Sequence, residues 1–181
     1  MELRLYHYFD KQQGPFRNLS SLPGEEAEAV LQRLKQRQKG FASKRADDYM
    51  SVRRALEDKA KELFVAKGGR PRLSFPHYMT LGACDWIHDW YEDGDMISIP
   101  LTAFDEWTVS FTYGDLFPTM RFEDGKSYRK QVYTAEEIKC VIEQYGFPQS
   151  WNADGTRGPE RYIEAQVWDE RVILAYSGKG D

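Results

Sequence analysis

The sequence predicts an α+β fold: a mainly antiparallel sheet, an N-terminal helical hairpin, and one further helix packed on the sheet. Three observations carry that expectation. Short alternating segments recur after residue 72 with hairpin-type links between them, the signature of antiparallel strands. Two amphipathic stripes lie back to back near the start, joined by too few residues for anything but an antiparallel pair of helices. The βαβ alternation of a nucleotide-binding parallel sheet is missing.

Met1 to Tyr8 alternates, with Leu3, Leu5 and His7 on one side and Arg4, Tyr6 and Tyr8 on the other, which predicts a strand. Pro23 and Gly24 open a helix whose first turns hold Glu25, Glu26 and Glu28, where the helix dipole favours anions. Its stripe is Ala27, Val30, Leu31 and Leu34, and Gly40 closes it. A longer helix runs from about Ser43 to Lys67 on the stripe Tyr49, Val52, Leu56, Ala60, Leu63 and Phe64, and Gly68-Gly69 stops it. Further strands are expected over Phe75–Leu81, Met96–Leu101, Thr108–Tyr113 and Tyr128–Tyr133, with a helical turn within Cys84–Tyr91. Thr134-Ala135-Glu136-Glu137 is a capping box: the Thr134 hydroxyl and the Glu137 carboxylate each satisfy a free amide at the start of a helix that Gly146 and Pro148 end. A long loop, Gln149–Glu160, leads to a last hairpin of Tyr162–Trp168 and Val172–Tyr176.

The 181 residues are read as one domain, with residues 23–69 as a candidate subdomain. A chain of this size hides roughly 70% of its unfolded surface, so neither disulfides nor a structural metal are required. Cys84 and Cys140 are far apart and read as free thiols, and the opening residues show neither a basic leader nor an apolar run, so a cytoplasmic location is expected. The longest apolar run, Val172–Tyr176, is far short of a membrane span, so no membrane association is expected.

No phosphate loop, dinucleotide-binding glycine turn, zinc-protease helix, C-x-x-C pair or nucleophile elbow occurs, and no cofactor is expected. Three clusters carry the chemistry that remains. His77, Cys84 and His88 offer one thiolate and two imidazoles to zinc, with Cys84 and His88 on one helical face; the competing reading makes His77 a strand residue and leaves no metal site. Tyr113-Gly114-Asp115 ends a strand in a carboxylate. There Asp115 is a candidate acid/base group, His77 an auxiliary, and Tyr113, Arg121, Tyr128 and Arg129 candidate contacts for a phosphorylated or carboxylated small molecule. The same residues fit a local turn, with glycine at an unusual backbone angle and the aspartate bonding amides two residues on. Asn152-Ala153-Asp154-Gly155 begins like a calcium loop, but Arg157 and Ile163 stand where glycine and glutamate are needed, leaving a surface loop. On the next strand Glu164 and Gln166 face either a cleft or water.

Charge divides unevenly: residues 1–72 hold 16 Lys/Arg against 10 Asp/Glu, and residues 73–181 hold 9 against 19. A basic half of this kind raises the question of nucleic acid. The second helix argues against it, because Arg53–Glu57, Glu57–Lys61 and Arg54–Asp58 are i,i+4 pairs that read as a solvated, salt-bridged face. Eleven Tyr, ten Phe and five Trp exceed what the core needs and point to an aromatic-lined surface for a protein partner, a small ligand or a second copy of the chain. Tyr113-Gly114-Asp115 taken with Tyr162-Ile163-Glu164-Ala165-Gln166-Val167-Trp168 resembles a small, uncharacterised bacterial family. The resemblance spans most of the chain, implies a bacterial cytoplasmic protein, and brings no activity or site. No motif fixes an activity; the leading expectation is a binding or protein-interaction module, the alternative an enzyme with acid/base chemistry at Asp115.

Overall fold

The computed structural model describes residues 2–36 and 48–178. Strands β1 (Arg4–Asp10), β2 (His77–Leu81), β3 (Gly94–Pro100), β4 (Val109–Thr112) and β5 (Ile163–Val167) form one antiparallel sheet in the order β3-β1-β2-β5-β4. Helices α1 (Gly24–Gln36) and α2 (Tyr49–Ala66) follow β1. Four short helices come later: α3 (Asp85–His88), α4 (Leu116–Arg121), α6 (Pro148–Trp151) and α7 (Arg171–Ser177). The longer α5 (Ala135–Tyr145) begins at the expected Thr134–Glu137 capping box. The α+β class and the antiparallel sheet agree with the sequence pattern. The expected loop between α1 and α2, with Gly40 and the residues from Ser43, lies outside the described residues.

Strand period two divides the sheet into unlike faces. One face is apolar: Leu5, Leu81, Ile99, Phe111, Ile163 and Val167 pack on Ala135, Ile138 and Val141 of α5 and Ile173 of α7. The register puts polar side chains on the other: Tyr6 opposite Thr80 and Ser98, Tyr78 opposite Gln166, and Glu164 between Thr80 and Thr112. This second face is covered in part by α2 and α4, where Ala60, Phe64, Leu116, Met120, Val132 and Trp168 form a separate apolar cluster. Both faces of β5 are therefore buried, and its Glu164 and Gln166 must find partners within the protein.

Two expected strands are absent. Val172–Tyr176 lies in helix α7, since β5 is already bonded to β2 on one side and β4 on the other, leaving no slot for a hairpin partner. A five-residue apolar run carries too little periodicity to separate strand from helix. Here Ile173 is buried, Val172 and Tyr176 pack beside it, and Leu174 is exposed, a helical spacing. Tyr128–Tyr133 is likewise no strand. Tyr128 and Val132, which strand geometry would put on one face, enter different clusters, Lys130 has a positive φ of 58°, and only Tyr133 bridges to the sheet, at Phe111. The stretch expected as loop from Gln149 begins within helix α6, started by Pro148 at its first turn.

The i,i+4 pair Arg53–Glu57 also differs from expectation. Instead of facing solvent it is buried, at 8% and 2% exposure. Arg53 Nε donates to Glu57 Oε1 (3.0 Å) and Ser20 Oγ (2.8 Å), and the same Glu57 oxygen accepts from Ser20 Oγ and Tyr78 OH, each at 2.8 Å. Arg53 Nη2 reaches Asn18 Oδ1 at 3.0 Å, and Asn18 Nδ2 donates to Pro76 O at 2.6 Å. The network ties α2 to the polar sheet face and to the segment before α1.

Candidate functional site

The central strand β2 and its neighbour β1 pair at one end only. β1 and β2 pair at Leu5–Leu81 and Tyr6–Thr80 and then part, so that His7 meets Tyr78 O through its ring instead of a ladder bond, at 3.3 Å. A cleft of about 640 Å³ opens at this fork and runs along the polar face of the sheet. Its size falls within the usual range for small-molecule sites. The floor is Tyr6, Tyr8, Tyr78, Thr80, Tyr162 and Glu164. One wall is the α3 segment with Trp86, Ile87, Trp90 and Tyr91; another is the start of α4 with Asp115, Phe117 and Pro118. Tyr49 and Arg53 of α2 and Arg161 complete the rim. The aromatic rings are held in contact: Trp86 meets Trp90 edge-on at 4.8 Å, Tyr49 stacks on Phe117 at 5.1 Å, and the Arg161 guanidinium lies 4.1 Å from the Trp86 ring centre.

Gly114 turns the chain from β4 into α4 with φ +111°, and a β-carbon there would come within 3.1 Å of Thr119 Oγ1, so the turn calls for glycine. Asp115 caps α4, Oδ1 accepting from Phe117 N at 2.8 Å. Its Oδ2 lies 3.1 Å from Tyr162 OH, and that hydroxyl lies 3.2 Å from Glu164 Oε2. Glu164 Oε1 accepts from Leu116 N and Gln166 Nε2, each at 3.2 Å. Gln166 continues to Thr112 Oγ1 (3.0 Å) and Ser110 Oγ (2.9 Å), and Trp168 Nε1 donates to Ser110 Oγ at 2.9 Å. A buried hydrogen-bonded chain thus runs from Trp168, across β4 and β5, to Asp115 at the cleft.

Electrostatics follow from this burial. Loss of hydration, then the neighbouring Asp115, push the Glu164 carboxyl well above the ordinary range, against the opposing bonds from Gln166, Leu116 N and Tyr162. Burial and the two carboxylates likewise push the Tyr162 phenol well up, so it stays protonated. Tyr78 is raised by burial, outweighing the opposing effect of Arg53. At the fork, burial holds His7 down to about 4. Its Nε2 accepts from Phe16 N at 2.8 Å, which puts the proton on Nδ1, facing Tyr78 O.

His7 therefore makes a testable contribution. Its pKa in the fold lies below the unfolded value of 6.5, so its stabilising effect is complete above pH 6.5 and is lost as pH falls towards 4. The shift corresponds to up to about 3 kcal/mol. Urea unfolding across that window is expected to show this loss, and a His7→Asn variant a flatter profile; equal slopes in both proteins would contradict the assignment.

Of the sequence candidates, Asp115 and His77 line the cleft. His77 stands at its fork end, edge-on to Phe16 at 5.8 Å, with burial lowering its pKa. Tyr113, Arg121, Tyr128 and Arg129 lie outside it. Tyr113 is fully buried on the apolar face, donating to Gly146 O at 2.8 Å and accepting from Trp151 Nε1 at 3.1 Å. Tyr128 packs on it, with ring centres 4.8 Å apart. Arg129 is buried between Asp124, at 2.7 Å, and Glu160, and Arg121 is exposed. Cys84 is buried beyond the far end of β2 from His77, and its amide donates to Tyr8 OH at 2.7 Å. Among the described residues no three His, Cys, Asp or Glu side chains are grouped to hold a metal. Glu164, expected to face a cleft or water, lines the cleft, and its neighbour Gln166 is fully buried; Tyr162, Tyr78, Arg53, Trp86 and Trp90 are the cleft residues that sequence motifs do not reveal.

We found no match to the chain among protein-family models, curated proteins or solved structures. The cleft must therefore be read from its own chemistry. Among the described residues no helix is long and apolar enough to cross a membrane.

Proposed function

We propose that the chain binds a small organic molecule in the cleft between α3 and α4. The observation that supports this best is a concave, aromatic-walled space of about 640 Å³ lined by two carboxyl groups joined through one phenol. Aromatic walls supply non-directional area, while Asp115, Tyr162 and Arg161 supply a few oriented polar groups, the usual division of labour in a ligand site. Concavity favours a small molecule over a protein partner, whose interfaces are flatter and larger. A second reading, acid/base catalysis on that molecule at Asp115, is favoured by the phenol-bridged acids.

The test is a thermal-shift screen of the full chain against sugars, sugar phosphates, nucleotides, amines and carboxylic acids. A ligand at one hundred times its dissociation constant adds about 2.7 kcal/mol. In a chain of this length that raises the midpoint by roughly 5–10 °C. The shift is expected to shrink in Trp90→Ala and Asp115→Asn and to be accompanied by quenching of tryptophan fluorescence. A stabilising compound whose effect both variants retain in full binds elsewhere, and the proposal then fails.

A further inference from the structure

We propose that Asp115, Tyr162 and Glu164 form a proton relay, in which Glu164 stores a proton that passes through the Tyr162 hydroxyl to Asp115 and on to the ligand in the cleft. The inference rests on the binding proposal for its ligand, but not for its test.

Proton counting carries it. A phenol owns one proton and two lone pairs. Tyr162 OH stands 3.1 Å from Asp115 Oδ2 and 3.2 Å from Glu164 Oε2. Were both acids ionised, one of these contacts would set oxygen lone pairs against each other inside the protein. One added proton resolves the arrangement: Glu164 donates to Tyr162, and Tyr162 donates to Asp115. The proton belongs on Glu164, which is buried on the inner side, whereas Asp115 stands at the cleft and accepts from Phe117 N.

The surroundings fit a neutral Glu164. Gln166 and Tyr162 face it from β5 and its approach, Thr80 and Tyr78 from β2, Thr112 from β4, and the Leu116 amide and Asp115 from α4. Behind Tyr78 lies the Arg53 guanidinium, 4.9 Å from its ring centre and already bonded to Glu57. An amide would suit this position as a structural element. Its oxygen would accept from Leu116 N and Gln166, and its NH2 would donate to Tyr162. A carboxyl adds one capacity that the amide lacks, which is to release the proton.

The step balances. The Glu164 O–H bond breaks as a new Tyr162 O–H bond forms, the original Tyr162 proton moves to Asp115, and Asp115 gives it to a basic oxygen or nitrogen of the ligand. Glu164 is left ionised and the ligand gains one proton; reversal returns it. Asp115 is the group that hands the proton to the ligand; Tyr162, beside it at the cleft floor, passes the proton on, and Glu164 stores it. The ligand class is a molecule with a basic oxygen or nitrogen within reach of Asp115.

Infrared spectroscopy of the protein without ligand tests this. At neutral pH the wild type is expected to show the C=O stretch of one protonated carboxyl that disappears in Glu164→Gln. On transfer to D2O that band should shift rapidly in the wild type and an order of magnitude more slowly in Tyr162→Phe, where the exit is cut. In Asp115→Asn, which keeps the helix cap, the band should vanish at lower pH than in the wild type, because the charge opposing Glu164 ionisation is gone. A wild type lacking the band, or an exchange rate unaltered by Tyr162→Phe together with a band unmoved by Asp115→Asn, would overturn the relay. A protein that shows the band but binds nothing in the ligand screen fails the binding proposal alone.

Discussion

Replacing Arg53 with methionine is expected to lower the unfolding free energy by about 3–5 kcal/mol, as breaking a buried ion pair from one side does. Arg53 supplies Glu57 with its only described cation, at 3.0 Å, and Glu57 is 2% exposed. Methionine fills much of the volume but leaves the carboxylate with only the Ser20 and Tyr78 hydroxyls as described donors. The penalty is therefore mainly that of an uncompensated buried charge. A second substitution, Glu57→Gln, should restore a large part of it, since the amide oxygen still accepts from both hydroxyls and carries no charge. Chemical denaturation of the two single variants and the double variant checks this as a cycle. A single-variant loss below about 1 kcal/mol would mean that water reaches the pair and solvates it, as at an exposed salt bridge. Because Tyr78 forms part of the cleft floor, the single variant should also weaken whatever ligand raises the wild-type midpoint.

This pair shows where a sequence stops being readable. Spacing alone puts Arg53 and Glu57 on one helical face, and it is correct about their contact. It says nothing about what covers that face, since Ser20, Asn18 and Tyr78 arrive from three other parts of the chain. The capping box at Thr134, the α2 stripe and the alternation of β1 are legible because each depends on neighbours within a turn or a strand. The helical state of Val172–Tyr176 is not, because it depends on β5 having partners on both sides.

The site divides in the same way. Asp115 is visible as a carboxylate at the end of an alternating strand, and its backbone bond to Phe117 is the local turn that the motif suggests. Tyr162 and Glu164 acquire meaning only when β5 is set beside β2 and β4. One signal was present all the same: Glu164 and Gln166 alternate with Ile163, Ala165 and Val167 just before Trp168, as Ser110 and Thr112 alternate with Val109 and Phe111. Two adjacent strands with polar residues on the same side describe either a wet face or a buried polar network. The tryptophan that follows β5 and the apolar stripe of α2 favour the second, because a covering layer was available.

Trp168→Ala is expected to be as damaging as the loss of Arg53, at about 3–5 kcal/mol, the range for truncating a large buried aromatic. The side chain is fully buried among Ala60 and Phe64 of α2, Leu116 and Met120 of α4, and Val132. Its backbone carbonyl accepts from Arg72 N (2.9 Å) and Leu73 N (3.0 Å), and its amide donates to Thr108 O at 2.8 Å, so the neighbouring chain is pinned and the cavity cannot close easily. Trp168→Phe separates filling from hydrogen bonding. Phenylalanine keeps most of the apolar area but withdraws the indole donor from Ser110. Its cost should lie nearer 1–2 kcal/mol, from some lost volume and one lost bond. The two variants should also differ at the cleft. In the Phe variant Ser110 can turn its hydroxyl while continuing to donate to Gln166, so Glu164 and the Asp115 cap keep their places and ligand binding survives. In the Ala variant α4 loses the surface on which Leu116 and Met120 rest, and Asp115, at the first turn of that helix, loses its fixed distance to Tyr162. Urea denaturation read beside ligand-induced midpoint shifts distinguishes these cases. If the Phe variant were as unstable as the Ala variant, the indole bond would outweigh the packing, and the polar chain from Trp168 to Asp115 would be the main support of this face of the sheet.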